Sequence, residues 1–275
     1  MLSAFRFQSA TTLFTSVALG LTISQMTAIA QDSSAPSPGS TGTLINISTP
    51  DLLHSESFGF RADIRTFGGD EDTTYYGAAL KYGMSDNWEL GFSSSFAPFQ
   101  GFLIPGSGVI FHGGTDMEIT AKYGTQVYGK YGITGQVGVD LPNTPAQQST
   151  HLTLGAAASI TAEPGIDLYV NPRTVLTSGE SLFGIGVGAK IKMGTNLTWI
   201  GDYTAMVNGY NTLDTTTGNP KSLDIYGIAL RYTASSGNIF IDLGWTNGAG
   251  VTTATSLTPG LGNSSAWYLS INFKQ

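Results

Sequence analysis

Residues 266–274 read Ala266-Trp267-Tyr268-Leu269-Ser270-Ile271-Asn272-Phe273-Lys274, with Trp267, Leu269, Ile271 and Phe273 alternating with small or polar neighbours. Successive side chains of a strand point to opposite faces, so a period of two describes a ribbon with one apolar and one polar face. Ile239, Ile241, Leu243 and Trp245 alternate with Phe240, Asp242 and Gly244 in the same way. Working outward, twelve such segments fall at roughly 55–66, 74–83, 87–96, 115–125, 130–141, 150–162, 166–177, 182–193, 197–208, 223–233, 238–247 and 265–274. Most are about 10–13 residues long, where strands of soluble proteins run to about 5–6 and tilted membrane strands to about 9–11.

The connections alternate in length. Met84-Ser85-Asp86, Glu163-Pro164-Gly165, Gly194-Thr195-Asn196 and Ala234–Gly237 are short, with a fifth short turn near Gln126–Gly129. Gly68–Thr73, Ala97–Gly114, Pro142–Ser149, Asn208–Ser222 and Gly248–Ser264 are longer, and only Ser178–Ser181 breaks the pattern. This is the connectivity of an all-β, up-and-down antiparallel transmembrane β-barrel of about 12 strands, with both chain ends on the short-turn side.

Composition agrees. Of 275 residues, 41% are hydrophobic and only 11% charged, where soluble domains are nearer a quarter charged. The absence of cysteine excludes disulfide scaffolds and thiol chemistry, and a net charge of −7 argues against a nucleic-acid partner. At the N-terminus, Arg6, the apolar run Leu13–Leu21 and Ala28-Ile29-Ala30 together predict a signal peptide over 1–30. The Ser/Pro/Gly-rich stretch that follows predicts a flexible periplasmic leader over 31–54, ahead of a barrel over 55–275.

The charges show which face meets water. On the face opposite the apolar stripe lie Arg61, Arg65, Lys81, Lys122, Arg173, Lys190, Lys192, Arg231 and Lys274. The same face carries Asp63, Glu89, Asp116, Glu118, Asp140, Asp167, Asp202, Asp224 and Asp242, a balanced set. Aromatic residues edge the apolar face: Tyr82, Trp88, Tyr123, Tyr131, Trp199, Tyr232 and Phe273 by short turns, and Phe67, Phe96 and Trp245 by longer ones. Trp and Tyr gather at membrane interfaces because the ring is apolar and its tip polar. A soluble sandwich is the competing fold, with its apolar faces inward. Strand length, loop alternation, the aromatic edges and the signal peptide favour the barrel, with the charged face lining a lumen.

In segments such as Ala79–Phe92 (ALKYGMSDNWELGF) and Trp267–Phe273 (WYLSINF) the chain resembles Gram-negative outer-membrane β-barrels, and loosely the transporter-like barrels grouped with phenol-degradation MetA proteins. The likeness spans 55–275 and is one of pattern, without a site motif. Such barrels usually end on an aromatic residue, whereas here Lys274 and Gln275 follow Phe273. The resemblance implies an outer-membrane location and passage of small molecules.

Few motifs suggest other chemistry. Gly184-Ile185-Gly186-Val187-Gly188 lacks the spacing of a phosphate-binding loop, and its glycines share the lumen face, leaving room for larger side chains opposite. His54, His112 and His151 have no metal-ligand spacing; Ser149 near His151 is only a loose hydrolase pair. Asp70-Glu71-Asp72 reads as a solvated loop tip, so no cofactor, metal or enzymatic activity is expected. The connection Phe96–Phe111 is unusually apolar: either its flanking strands extend beyond the membrane and pair there, or Phe99, Phe102, Leu103 and Ile104 belong to a constriction loop. The expectation is a passive channel for small hydrophilic solutes, its partners being outer-membrane lipid, the solute and, in a possible homo-oligomer, further copies of the chain. A closed barrel acting through its outer loops is the alternative.

Overall fold

The computed structural model describes residues 42–68, 73–97, 114–125, 131–143, 150–177, 181–214, 216–260 and 264–275. The wall is built from β1 (Phe58–Phe67), β2 (Thr73–Ser85), β3 (Trp88–Ala97), β4 (Gly114–Thr125), β5 (Tyr131–Asn143), β6 (His151–Glu163), β7 (Ile166–Leu176), β8 (Ser181–Lys192) and β9 (Leu197–Asn208). A small hairpin of β10 (Thr212–Leu213) and β11 (Pro220–Lys221) intervenes before β12 (Ile225–Thr233), β13 (Ile239–Thr246) and β14 (Ala266–Lys274). Every wall strand pairs antiparallel with its neighbour in the chain, and β1 pairs with β14 from Gly59↔Lys274 to Phe67↔Ala266. The result is a closed twelve-stranded barrel. Each segment read from alternation corresponds to one of its strands. Closure pairs every strand on both sides and leaves no edge.

Alternation places the side chains as the charges demanded. Along β14 burial alternates residue by residue, with Trp267, Leu269, Ile271 and Phe273 all 39–56% exposed on the outside and Tyr268, Ser270 and Asn272 buried inside. An exposed apolar belt of this kind would aggregate in water; it is the exterior of a barrel immersed in hydrocarbon. Aromatic pairs mark both margins. Phe58–Tyr82 and Trp88–Tyr123, each at 4.7 Å between ring centroids, lie toward the short turns, and Trp245–Trp267 at 4.3 Å toward the longer loops. Phe67 departs from the expected girdle: it is 1% exposed on the lumen side, against Tyr75, Ala249 and Ala266. It continues the inward parity of Arg61, Asp63 and Arg65 to the last residue of β1.

The turns follow local chemistry. Gly165 supplies the φ of +86° that the β6–β7 turn requires, a conformation costly to L-residues. In the β10–β11 hairpin the Asp214 carboxylate accepts N–H bonds from Thr217 (2.9 Å) and Thr216 (3.0 Å), which hold its pKa below the ordinary carboxylate value. The constriction candidates Phe99, Phe102, Leu103 and Ile104, together with His112 and the signal peptide, lie outside the described residues.

Candidate functional site: a charged lumen with two inserts

The inward charges expected from alternation meet inside the barrel, mostly as ion pairs. Asp63 Oδ2 accepts from Arg61 at 3.0 Å and from Arg65 at 3.1 Å, and Arg61 also donates to the Tyr268 hydroxyl at 3.0 Å. Both guanidinium groups lie by the Tyr268 ring, at 5.9 and 5.5 Å from its centroid. Arg231 and Asp242 stand directly opposite on β12 and β13 and pair through two bonds of 2.7 and 2.9 Å. Lys190–Asp167 (2.9 Å) and Lys81–Glu89 (3.4 Å) complete the pairs on neighbouring strands. Glu118, Asp140 and His151 form one row across β4, β5 and β6, with His151 Nδ1 3.4 Å from Asp140. That histidine is buried inside the wall, away from the outward face where a lipid-facing hydrolase pair would need it.

Two sequence-predicted lumen residues differ. Asp224 precedes β12, and its carboxylate accepts from the Tyr203 hydroxyl and the Met206 amide (2.9 Å) instead of facing the lumen. The strand begins at Ile225, two residues later than expected, and Asp224, seven residues from the inward Arg231, carries the outward parity of Tyr226 and Ile228. Lys192 keeps the lumen parity but stands exposed at the short-turn end of β8.

The lumen is not empty of chain. The leader expected to be flexible through residue 54 packs inside the barrel from residue 42. There it forms a tight turn: Leu44 N–H donates to Ile47 O at 3.0 Å, and Thr49 N–H to Gly42 O at 2.9 Å. Wall charges hold this insert mainly by its backbone. Asp202 Oδ2 accepts the N–H groups of Ile45 (2.8 Å) and Asn46 (2.7 Å), and Glu89 accepts that of Leu53 (3.1 Å). Its carbonyls accept from the cations: Ile45 O from Arg61 (3.0 Å), Asn46 O from Arg173, and Asp51 O from Lys122 (2.9 Å). The Asn46 side chain, at the tip, donates to Asp202 Oδ1 (2.8 Å) and Thr246 (3.0 Å) and accepts from Arg65 (3.0 Å).

The glycine run of β8 makes the room. Leu44, Ile45 and Ile47 are 0–2% exposed and cluster with Tyr169, Ile200, Ala229 and Tyr268. A Cβ at Gly186 would stand 2.7 Å from Ile47, and one at Gly188 2.5 Å from Leu44. The larger side chains that these glycines accommodate come from the inserts. Near the rim, Glu56 has φ +61°, the left-handed region, as the chain turns from the lumen into β1. Glu56 N–H donates to Gly83 O (2.7 Å), and a Cβ on Gly83 would strike the carbonyl of His54 at 2.0 Å. The insert therefore enters at the short-turn rim.

A second insert comes from the opposite rim. Residues 248–260 of the β13–β14 connection carry no charge and fold inward around a short 3₁₀ turn, Thr255–Leu257. Thr252 donates to Asp116 (2.6 Å), and the Thr253 N–H to Glu118 (2.7 Å). Leu257 is fully buried with Val175, Leu182 and Ala254. Arg173 touches both inserts, donating to Asn46 O of the first and to Ser256 O (3.3 Å) of the second. Two signals hinted at this: Leu44, Ile45 and Ile47 are conspicuous in a Ser/Pro/Gly-rich leader, and an uncharged long loop is unusual in water.

Between the inserts and the wall remains a polar cavity of about 80 Å³, lined by Arg61, Lys81, Glu89, Glu118, Gln136, Asn171 and Arg173 among others. At about 10–15 Å³ per water it holds roughly five to eight molecules. If the glycine groove seats the N-terminal insert, Gly188→Val should overpack it by about 1–3 kcal/mol. The expected result is faster hydrogen exchange at the Ile45 and Asn46 amides in an otherwise intact barrel; unchanged protection would contradict the seating.

A closed antiparallel barrel with an apolar exterior, a charged interior and inward-folded segments is the architecture of membrane-spanning barrels. No family model matches the chain, and no curated protein matches it in sequence. Solved structures do match in fold. The NanC porin shares 12% identity at a TM-score of 0.53, over 79% of this chain and 100% of its own. The KdgM porin shares 7% at 0.51, over 79% and 98%. An outer membrane channel from Pseudomonas putida F1 shares 10% at 0.52, over 82% and 96%.

Proposed function

We propose that the protein is a porin-like outer-membrane channel for the passive passage of small hydrophilic solutes. The observation that carries this reading is the pairing of an exposed apolar belt with a lumen whose wall is charged on every side. Twelve strands spaced about 4.8 Å and tilted about 40° give a backbone cylinder roughly 24 Å across, about half of it taken by side chains. The lumen charges are balanced and largely paired, so weak ion selectivity follows, since selectivity needs a ring of one sign. The fold likeness to two porins and a channel supports the same reading, as do the predicted signal peptide and the girdles. Nothing in this reading asks for catalysis by the chain.

The two inserts favour a second reading, a closed barrel that acts through its outer loops. Planar-bilayer recording separates them. The channel reading expects small, steady, weakly selective conductance from the full-length mature chain. Silence at high protein load, both with and without Gly42–Leu53, would leave only the closed barrel.

A further inference from the structure

We infer that the lumen cavity is a binding site for a small zwitterion, a molecule carrying one ammonium and one carboxylate. The inference rests on the channel reading only for how such a solute reaches the site. Five charged side chains line the cavity, and three already have charge partners. Lys81 and Glu89 pair with each other at 3.4 Å, and Arg61 pairs with Asp63 at 3.0 Å. Glu118 and Arg173 are left, one of each sign.

Both are almost fully buried, at 2% and 5% exposure. Among the described residues no carboxylate lies within 4.0 Å of the Arg173 guanidinium, and no basic nitrogen within 4.0 Å of the Glu118 carboxylate. Their partners are all neutral. Glu118 accepts from the Thr153 hydroxyl (2.6 Å) and the Thr253 N–H (2.7 Å). Arg173 donates to Asn46 O, to Thr204 (2.9 Å) and to Ser256 O (3.3 Å), and its Nε–H has no acceptor among the described residues. Asp202 and Glu118 attract Arg173 only from beyond contact distance, so two buried charges of opposite sign border one small polar space without touching a counter-charge, which is costly.

A lone anion at Arg173 would leave Glu118 without a cation in contact, and a lone cation at Glu118 would leave Arg173 without an anion in contact. A zwitterion answers both: its carboxylate accepts from Arg173 while its ammonium donates to the remaining lone pairs of Glu118. Gln136, Asn171 and Ser48 line the same space and supply neutral hydrogen-bonding groups around the ligand's middle. The volume admits a short, unbranched molecule such as an ω-amino acid.

The test is calorimetric titration of the full-length mature protein in detergent with glycine, β-alanine and γ-aminobutyrate, against acetate, methylammonium and neutral acetamide. At least one amino acid should bind about tenfold more tightly than acetate or methylammonium, the worth of one charge-assisted hydrogen bond. Glu118→Gln keeps acceptor oxygen for Thr153 and should erase that preference while leaving acetate binding unchanged. Arg173→Lys should retain the preference and Arg173→Gln should lose it, a contrast that loosened inserts alone would not produce. Equal binding of acetate and the amino acids, or an unchanged preference in Glu118→Gln, overturns the inference. Conductance of the same preparation is read separately. A conducting protein that binds no zwitterion refutes the site and spares the channel; binding by a protein silent with and without Gly42–Leu53 does the reverse.

Discussion

Joining residue 41 directly to His54, so that Gly42–Leu53 is absent, is expected to raise single-channel conductance by about tenfold or more, because a twelve-stranded wall without its insert encloses a continuous aqueous path. The insert is held firmly. Burying Leu44, Ile45 and Ile47 contributes about 1.5–3 kcal/mol each relative to exposure. Asp202, Glu89, Arg61, Arg173 and Lys122 add bonds to its backbone. The full-length chain should therefore conduct little, and removal should act on the path more than on the wall. No wall strand pairs with the insert, so the ladder from β1 to β14 stays complete. Deletion still uncovers wall charges that met main-chain groups, and water is expected to fill the space they face. The variant should conduct with greater open-state noise. A variant that inserts and folds, yet conducts no better than the parent, would mean that the second insert or the outer loops close the lumen unaided.

The largest stability effect is expected at Asp63. Its carboxylate is, among the described residues, the one ion-pair partner within 4.0 Å of both Arg61 and Arg65, all three with side chains no more than 6% exposed. Asp63→Ala leaves two buried guanidinium groups without a counter-charge in contact, and breaking a buried pair costs about 3–5 kcal/mol. Arg65 retains Asn46 Oδ1 (3.0 Å) and Gly248 O (2.7 Å), and Arg61 retains Tyr268 (3.0 Å), so the barrel should fold but melt earlier. Denaturant unfolding of the lipid-reconstituted barrel measures this loss. Asp63→Asn, which keeps an acceptor oxygen and removes the charge, should fall between parent and alanine. A loss below about 1 kcal/mol in Asp63→Ala would place the pair among the weak, solvent-screened kind. Arg65 also anchors the tip of the N-terminal insert and the start of the second one, so the substitution should loosen both. Conductance should rise as stability falls.

The wall was legible because membrane strands obey one rule for their whole length. Trp267, Leu269, Ile271 and Phe273 already state which side faces outward, and the same reading placed Arg61, Asp63, Arg231 and Asp242 inside. Their pairing was not legible, since it depends on which strands close the barrel and at what register. The rule holds even for Asp224 and Phe67, which took the face opposite to the one expected: Phe67 shares the inward parity of Arg61 and Arg65, and Asp224 the outward parity of Tyr226 and Ile228. It is silent about segments that are not strands. Leu44, Ile45 and Ile47 are too few to announce a core by periodicity, and their partners, the β8 glycines, are marked only by what they lack. The β13–β14 connection resembled an outer loop in length alone; its lack of charge reflects the acidic wall of Asp116 and Glu118, which it satisfies with hydroxyl and amide hydrogens.

The central claim is that solutes cross through this charged lumen, and the absence of cysteine makes it directly testable. A single cysteine replaces Ser93, which lines the cavity, in the chain lacking Gly42–Leu53. Leu269→Cys on the apolar exterior is the control. A charged, water-soluble methanethiosulfonate reagent is added during bilayer recording. Conductance should drop stepwise on modification at position 93 and stay constant at position 269. Complete labelling of position 93, verified by mass, with no change in current would contradict passage through the lumen.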